Sequence, residues 1–236
     1  MRLLLGSGGF RTEERLELLR GEMRAHFGDA KRLLFVPYAL ADHDLYVERL
    51  VEKGLDAGYV LDGIHKHANP VAAVREAEAI SIGGGNTFRL VEALHRHGLI
   101  EPIRERVRAG VPFMGVSAGT NVACPTMQTT NDMPITDPPS FETLGLVPFQ
   151  VNAHYYPGQI WIKANGGFEE HFGETRDDRI REYHEMNDRI VVALWESALL
   201  RVEDERVILQ GANARIFKKG QEPVDVEPGE IGALLA

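Results

Sequence analysis

Residues 111–121, VPFMGVSAGTN, decide how this chain is read. The first six form an apolar run that reads as a buried strand, and it delivers the chain to Ser117, set between Gly115 and Gly119 in the spacing G-x-S-x-G. Two readings follow. Ser117 is either a nucleophile exposed on a strained strand-to-helix turn or a small residue in a tight loop.

The sequence before it supplies a frame. Apolar runs alternate with longer segments of helical period: RLLLGS, TEERLELLRGEMRAHF, RLLFVPY, ADHDLYVERLVEKGLDAG and YVLDGI. NPVAAVREA follows, with Asn69 as N-cap and Pro70 at the first helical position, then AISIG, then TFRLVEALHRHG closed by Gly98, then EPIRERVRAG ending at Gly110. This alternation is the signature of strand and crossover-helix units. The strands are apolar on both faces, so the expected class is α/β: a doubly wound, mostly parallel sheet with helices on both faces. Ser117 then stands at the carboxyl end of a central strand.

Bulk properties narrow the function. The 236 residues, 44% of them hydrophobic, suit a single domain over 1–236 with a sizeable core. A net charge of -9 without a basic stripe argues against nucleic acid as a partner. One cysteine excludes an internal disulfide framework, and the apolar run in MRLLLGSGGF is too short for a signal peptide or membrane span. The expectation is a soluble cytoplasmic protein.

After the serine the texture changes. CPTMQTTNDMPITDPPS carries four prolines and reads as a surface loop. The last segments, RIVVALWE, ALLRVED, RVILQG and ARIFKKG, read as short antiparallel strands joined by tight turns.

A hydroxyl becomes a nucleophile only when a base takes its proton, and flanking glycines let substrate approach the backbone. The N–H of Ala118 would point into the same pocket, and a second oxyanion donor could come from the GGGN turn, residues 83–86, at the end of another parallel strand. Among nine histidines, His26, His43, His171 and His184 fall in polar segments read as exposed, and the pairs His65/His67 and His95/His97 read as solvated surface. His154 stands apart: it follows LVPFQVNA and precedes YYPG, at a strand end, either as a base or as an imidazole packed between tyrosines. Glu196, after RIVVALW, is a candidate to orient it, and Asp132 and Asp137 compete. GSGG at 6–9 lacks the third glycine of a dinucleotide fingerprint and reads as a simple turn. Cys124 reads as a buried small hydrophobe.

Taken together, IGGGNTFRL, GVSAGTNVACPTMQTTNDMPITDP, VNAHYYPG and GETRDDRIREY resemble peptidase E, the alpha-aspartyl dipeptidase family of serine peptidases. The resemblance runs from the first strand to the last. It implies a flavodoxin-like fold related to class I glutamine amidotransferases, in which a Ser-His-Glu set hydrolyses small dipeptides with amino-terminal aspartate. By motif the nucleophile falls on Ser117, the base on His154, the acid on Glu196, and the oxyanion donors on Gly85 and Ala118. Arg176 of GETR matches the residue that grips the substrate's aspartate side chain, for which a forked guanidinium is suited. Asp132 matches an acidic residue that either receives the substrate amino group or braces its loop. The implied chemistry calls for no metal or other cofactor, and the expected state is a monomer or homodimer.

Two features qualify the resemblance. The acid sits in Trp195-Glu196-Ser197 where the family pattern has Pro-Glu-Gly, and the segment YYPGQIWIKANGGFEEHF after His154 is longer than the usual connection, which bears on specificity. The competing expectations are a cyanophycinase-like peptidase that cuts beta-aspartyl links, a dipeptidase of broader specificity, and a non-catalytic small-molecule-binding module.

Overall fold

Five of the seven described α-helices start on a side-chain cap in the computed structural model, which describes residues 1–235. Thr12, Asp42, Asn69, Asn86 and Thr175 each accept a hydrogen bond from a first-turn N–H, opening α1 (Glu13–Phe27), α2 (His43–Glu52), α3 (Pro70–Glu76), α4 (Thr87–Arg96) and, near the end of the chain, α7 (Arg176–Met186). Two further helices, α5 (Ile100–Arg108) and the short α6 (Ala118–Asn121), lie between α4 and α7.

Between the early helices run β1 (Arg2–Gly6), β2 (Arg32–Val36), β3 (Val60–Gly63), β4 (Ile80–Ile82) and β5 (Phe113–Val116), all mutually parallel in the order β1-β5-β4-β2-β3. Alternate residues of each strand face opposite layers. Leu3 and Leu5 pack with residues of α3, α4 and α5, whereas Leu4, Leu33 and Met114 pack with Leu19, Met23 and Phe27 of α1. Helices therefore cover both faces, as the apolar strands predict.

The second half is more divided than the sequence reading. β6 (Gln150–Tyr155) is followed by the hairpin β7 (Ile160–Ala164) and β8 (Gly167–His171), then by β9 (Val191–Trp195), β10 (Leu199–Glu203), β11 (Arg206–Gln210), β12 (Ala214–Phe217), β13 (Val224–Val226) and β14 (Gly229–Glu230). β10, β11 and β14 extend the large sheet beyond β1, each antiparallel to the strand before it, making it eight-stranded and mixed. β13, β12, β9 and β6 form a separate four-stranded sheet in which β9 runs parallel to β6. The expected antiparallel pairing holds among the closing strands, β10 with β11 and β9 with β12, and β9 adds a parallel pairing with β6. One face of this sheet joins the main core through Val151, Val192, Leu194 and Ile216, and the other is covered by Ile180 of α7.

The loop after Ser117 is also more embedded than expected: Cys124, Met127 and Thr129 are buried, and Thr129 Oγ1 donates to the Val151 carbonyl at 2.8 Å. Among the described residues, no helix is long and apolar enough to cross a membrane.

Candidate active site

Ser117 stands on a strained strand-to-helix elbow rather than in an ordinary turn. Its φ of 55° and ψ of -113° lie outside the regions open to an L-residue, a conformation that costs on the order of 1–3 kcal/mol. Local packing imposes it. The Ser117 N–H donates to the Gly6 carbonyl, and the Ser117 carbonyl accepts from the Thr120 and Asn121 N–H groups, all at 2.9 Å. A β-carbon on Gly115 would stand 2.3 Å from the Gly119 carbonyl oxygen, and one on Gly119 would stand 2.0 Å from that of Ile82. The two glycines of the motif are thus required by the close approach of β5, α6 and β4.

His154 reaches the serine from the smaller sheet. Its Nε2 lies 2.9 Å from Ser117 Oγ, and its Nδ1 lies 2.9 Å from Glu196 Oε1. The β6–β9 register shifts between Asn152 and Tyr155, and His154 takes φ 55° within that irregularity, which aims its ring away from the regular pleat. Glu196 follows β9 directly, and the Ser197 N–H donates to the Gly8 carbonyl at 2.7 Å to fix the turn. Of the three competing carboxylates it is Glu196 that meets the imidazole; Asp132 and Asp137 do not.

The sequence reading missed what holds these groups. Ser7 is buried; its Oγ accepts from the His154 N–H at 2.8 Å and donates to the Leu194 carbonyl at 2.9 Å, tying β6 and β9 to the end of β1. Gly8 and Gly9 lie against the His154–Glu196 pair: added β-carbons would stand 2.4 Å from His154 Cε1 and 2.2 Å from Glu196 Oε2. GSGG is a turn, as expected, but one shaped to the His–Glu pair. Its position at the carboxyl end of a parallel strand, beside the other two glycine turns, was the available signal.

Gly85 has φ 137°, and a β-carbon there would stand 2.6 Å from the Ala39 carbonyl oxygen. No backbone hydrogen bond among the described residues spends the Gly85 or Ala118 N–H. Tyr46 of α2 donates to the Gly84 carbonyl at 2.8 Å, and its burial pushes the phenol up to about 12. The GGGN turn is therefore held rigidly beside Ser117.

Asp132 Oδ2 accepts from the Thr87 N–H at 2.8 Å, from Thr87 Oγ1 at 2.6 Å and from Thr130 Oγ1 at 3.1 Å. This carboxylate clamps its loop to the start of α4, just beyond the GGGN turn; of the two roles foreseen for it, the brace is the one its contacts describe. Its neighbour Asn131 links the loop to the site: Nδ2 donates to the Ala153 carbonyl at 2.8 Å, while Oδ1 accepts from Arg176 Nη1 at 2.6 Å. Arg176 lies 5.3 Å from the centre of the Tyr156 ring, its Nε is buried without a partner, and burial lowers it from the ordinary guanidinium range. A half-buried guanidinium thus keeps one donor unmet.

Other histidine and cysteine readings divide. His26 and His184 are buried, not exposed: each sits on the inward stripe of its helix, and their Nε2 atoms lie 3.0 Å from the Phe113 carbonyl and 2.9 Å from the Arg189 carbonyl. Cys124 is fully buried with its thiol pushed up to about 12 by desolvation, as expected of a packing residue.

An α/β protein that sets a serine on such an elbow, within reach of an imidazole already tied to a carboxylate, falls among the serine hydrolases. Comparison with known proteins sharpens this. The profile of Peptidase family S51 matches residues 2–210, and the chain belongs to that family. It is 50% identical over 209 residues to "Peptidase E" of Streptomyces coelicolor, covering 86% of this chain and 82% of that one. It is 43% identical over 220 residues to "Probable alpha-aspartyl dipeptidase" of Drosophila melanogaster, covering 92% and 89%. The crystal structure of a peptidase from an acI-B1 Actinobacterium superposes with a TM-score of 0.66 at 18% identity, over 97% of this chain and 95% of that one, and attests the fold.

Proposed function

We propose that this enzyme is a serine dipeptidase that hydrolyses dipeptides with amino-terminal aspartate, Asp-Xaa, through an acyl-enzyme. The observation that carries the reading is the line from Ser117 Oγ through His154 to Glu196, with both links at 2.9 Å. Ser117 Oγ attacks the peptide carbonyl carbon as His154 Nε2 takes its proton, and Glu196 steadies the resulting imidazolium. The Gly85 and Ala118 N–H groups receive the oxyanion, each worth about 10²- to 10³-fold in rate. His154 returns the proton to the leaving nitrogen as the C–N bond breaks. A water, deprotonated by the same imidazole, then cleaves the ester and frees aspartate.

Arg176 supplies the aspartate preference. Its unfilled Nε and its place beside Asn131, one link from the backbone preceding His154, support a salt bridge with the substrate's side-chain carboxylate. Asp132 holds the loop that carries Asn131. Helices on both faces of the parallel strands support a doubly wound core of the class I glutamine amidotransferase type. The enzyme is read as one peptidase domain over 1–236, cytoplasmic, monomeric or homodimeric, acting on small dipeptides without a cofactor.

Steady-state hydrolysis of Asp-Leu, Leu-Leu, Leu-Asp and beta-linked Asp-Leu tests the specificity. The reading expects cleavage of alpha-linked Asp-Leu alone. Faster cleavage of the beta-linked isomer would favour a cyanophycinase-like activity, and equal cleavage of Leu-Leu would remove Arg176 from its role.

A further inference from the structure

Beside Ser117 opens a cavity of about 310 Å³, at the lower end of the roughly 300–1,000 Å³ of small-ligand pockets. Much of its wall is apolar: Leu19 and Met23 of α1, Leu50 of α2, Phe35 of β2, Leu61 of β3 and Met114 of β5. Neither Arg176, Asn131 nor Tyr156 lines it. It is a compartment separate from the one that would hold the substrate's aspartate side chain.

The sequence leaves this space unfilled in two places. β4 reads Ile80-Ser81-Ile82, and between two fully buried isoleucines it points the small Ser81 into the cavity, its hydroxyl bonded to no described residue. Helix α2 places no residue in the fully buried class, although Tyr46 and Leu50 face the cavity.

Ser117, His154, Gly8, Gly9, Gly84 and Gly85 also line this cavity, so it adjoins the Ser117–His154 pair. Because His154 Nε2 must reach the departing nitrogen, the leaving residue lies on the His154 side of the scissile bond, over the Gly8–Gly9 turn. We propose that this cavity receives the side chain of the leaving residue, and that the enzyme favours Asp-Xaa substrates in which Xaa is large and apolar, such as leucine, methionine or phenylalanine. The inference rests on the Asp-Xaa dipeptidase reading and specifies its second residue. Arg11 and Lys53 on the same lining disfavour a cationic Xaa.

Each methylene buried is worth about fourfold, so leucine should exceed alanine by at least about tenfold after the cost of ordering the side chain. The test is kcat/KM for Asp-Ala, Asp-Leu, Asp-Phe and Asp-Lys with the wild type and with Ser81→Leu, which fills the cavity floor. Expected is an advantage of about tenfold or more for Asp-Leu and Asp-Phe over Asp-Ala, none for Asp-Lys, and an Asp-Phe to Asp-Ala ratio cut about tenfold by the substitution. Equal rates on Asp-Ala, Asp-Leu and Asp-Phe would overturn the inference while leaving the dipeptidase reading intact. Failure to cleave any Asp-Xaa, or preference for an apolar amino-terminal residue, would overturn both. Should Ser81→Leu not fold, the wild-type ratios decide, and Leu61→Trp at the cavity wall provides the second variant.

Discussion

A β-carbon on Gly8 would stand 2.4 Å from His154 Cε1, so the absence of a side chain at the end of the first strand is what leaves room for the imidazole. Gly8 also has φ 138°, which an L-residue rarely adopts. Gly8→Ala should displace the ring and lower kcat by about 10²-fold or more, since an ångström of misplacement costs about that much. It should also lower the denaturant midpoint. A variant with wild-type kcat would show that the turn does not set the imidazole.

Glu196→Gln keeps the shape of the side chain but no longer stabilises an imidazolium. We expect kcat to fall by about 10⁴-fold with KM little changed, the size of loss seen when the triad acid alone is removed. Asp137→Asn should remain near wild type, because that exposed carboxylate does not reach His154. The reverse ranking in steady-state assays would move the orienting role elsewhere.

Ser7→Ala removes a buried hydroxyl that engages two backbone groups on neighbouring strands. A buried donor left unsatisfied costs about 1–3 kcal/mol. The expected result is a destabilisation of that size in urea unfolding, accompanied by a lower kcat because the His154 backbone is no longer held.

Arg176→Ala should reduce kcat/KM for Asp-Leu by about 10- to 100-fold, the worth of a hydrogen bond to a charged group. Hydrolysis of an Asn-Leu analogue should fall much less. Equal losses on both substrates would assign Arg176 to the loop framework, through Asn131, instead of to the aspartate carboxylate.

Burial lowers His26 from the ordinary 6.5 to about 4, so it stays neutral in the folded protein where an unfolded chain would already be protonated. Between those values the unfolded state binds more protons, and stability rises with pH; the contribution is complete above about 6.5 and is lost as pH falls toward about 4. The difference amounts to about 3 kcal/mol. His26→Gln, which retains a donor for the Phe113 carbonyl, should flatten the pH dependence of the urea midpoint across that window. A slope equal to that of the wild type would contradict the assignment.

What was legible in the sequence is what local chemistry determines. Asn69 before Pro70 marks a helix start wherever it lands, and Gly115 and Gly119 announce a tight turn because the strand, serine and helix around them adjoin in sequence. Ser7 was invisible for the opposite reason: the backbone it holds lies 147 positions away. The division of the closing strands between two sheets was hidden as well, since β9 and β10 carry similar apolar patterns and only their partners, β6 and β1, separate them. His26 was misjudged by its polar neighbours. Its spacing from Leu19 and Met23 places all three on the buried stripe of α1, a helical period that was present in the sequence.

The proposed mechanism depends on Ser117 as its nucleophile. Its most direct test is to treat the enzyme with a fluorophosphonate, map the adduct by peptide mass spectrometry and follow residual Asp-Leu hydrolysis in the same samples. Modification is expected at Ser117, with activity lost in proportion to labelling. Full labelling of Ser117 with Asp-Leu hydrolysis intact, or inactivation through an adduct at another residue, would contradict it.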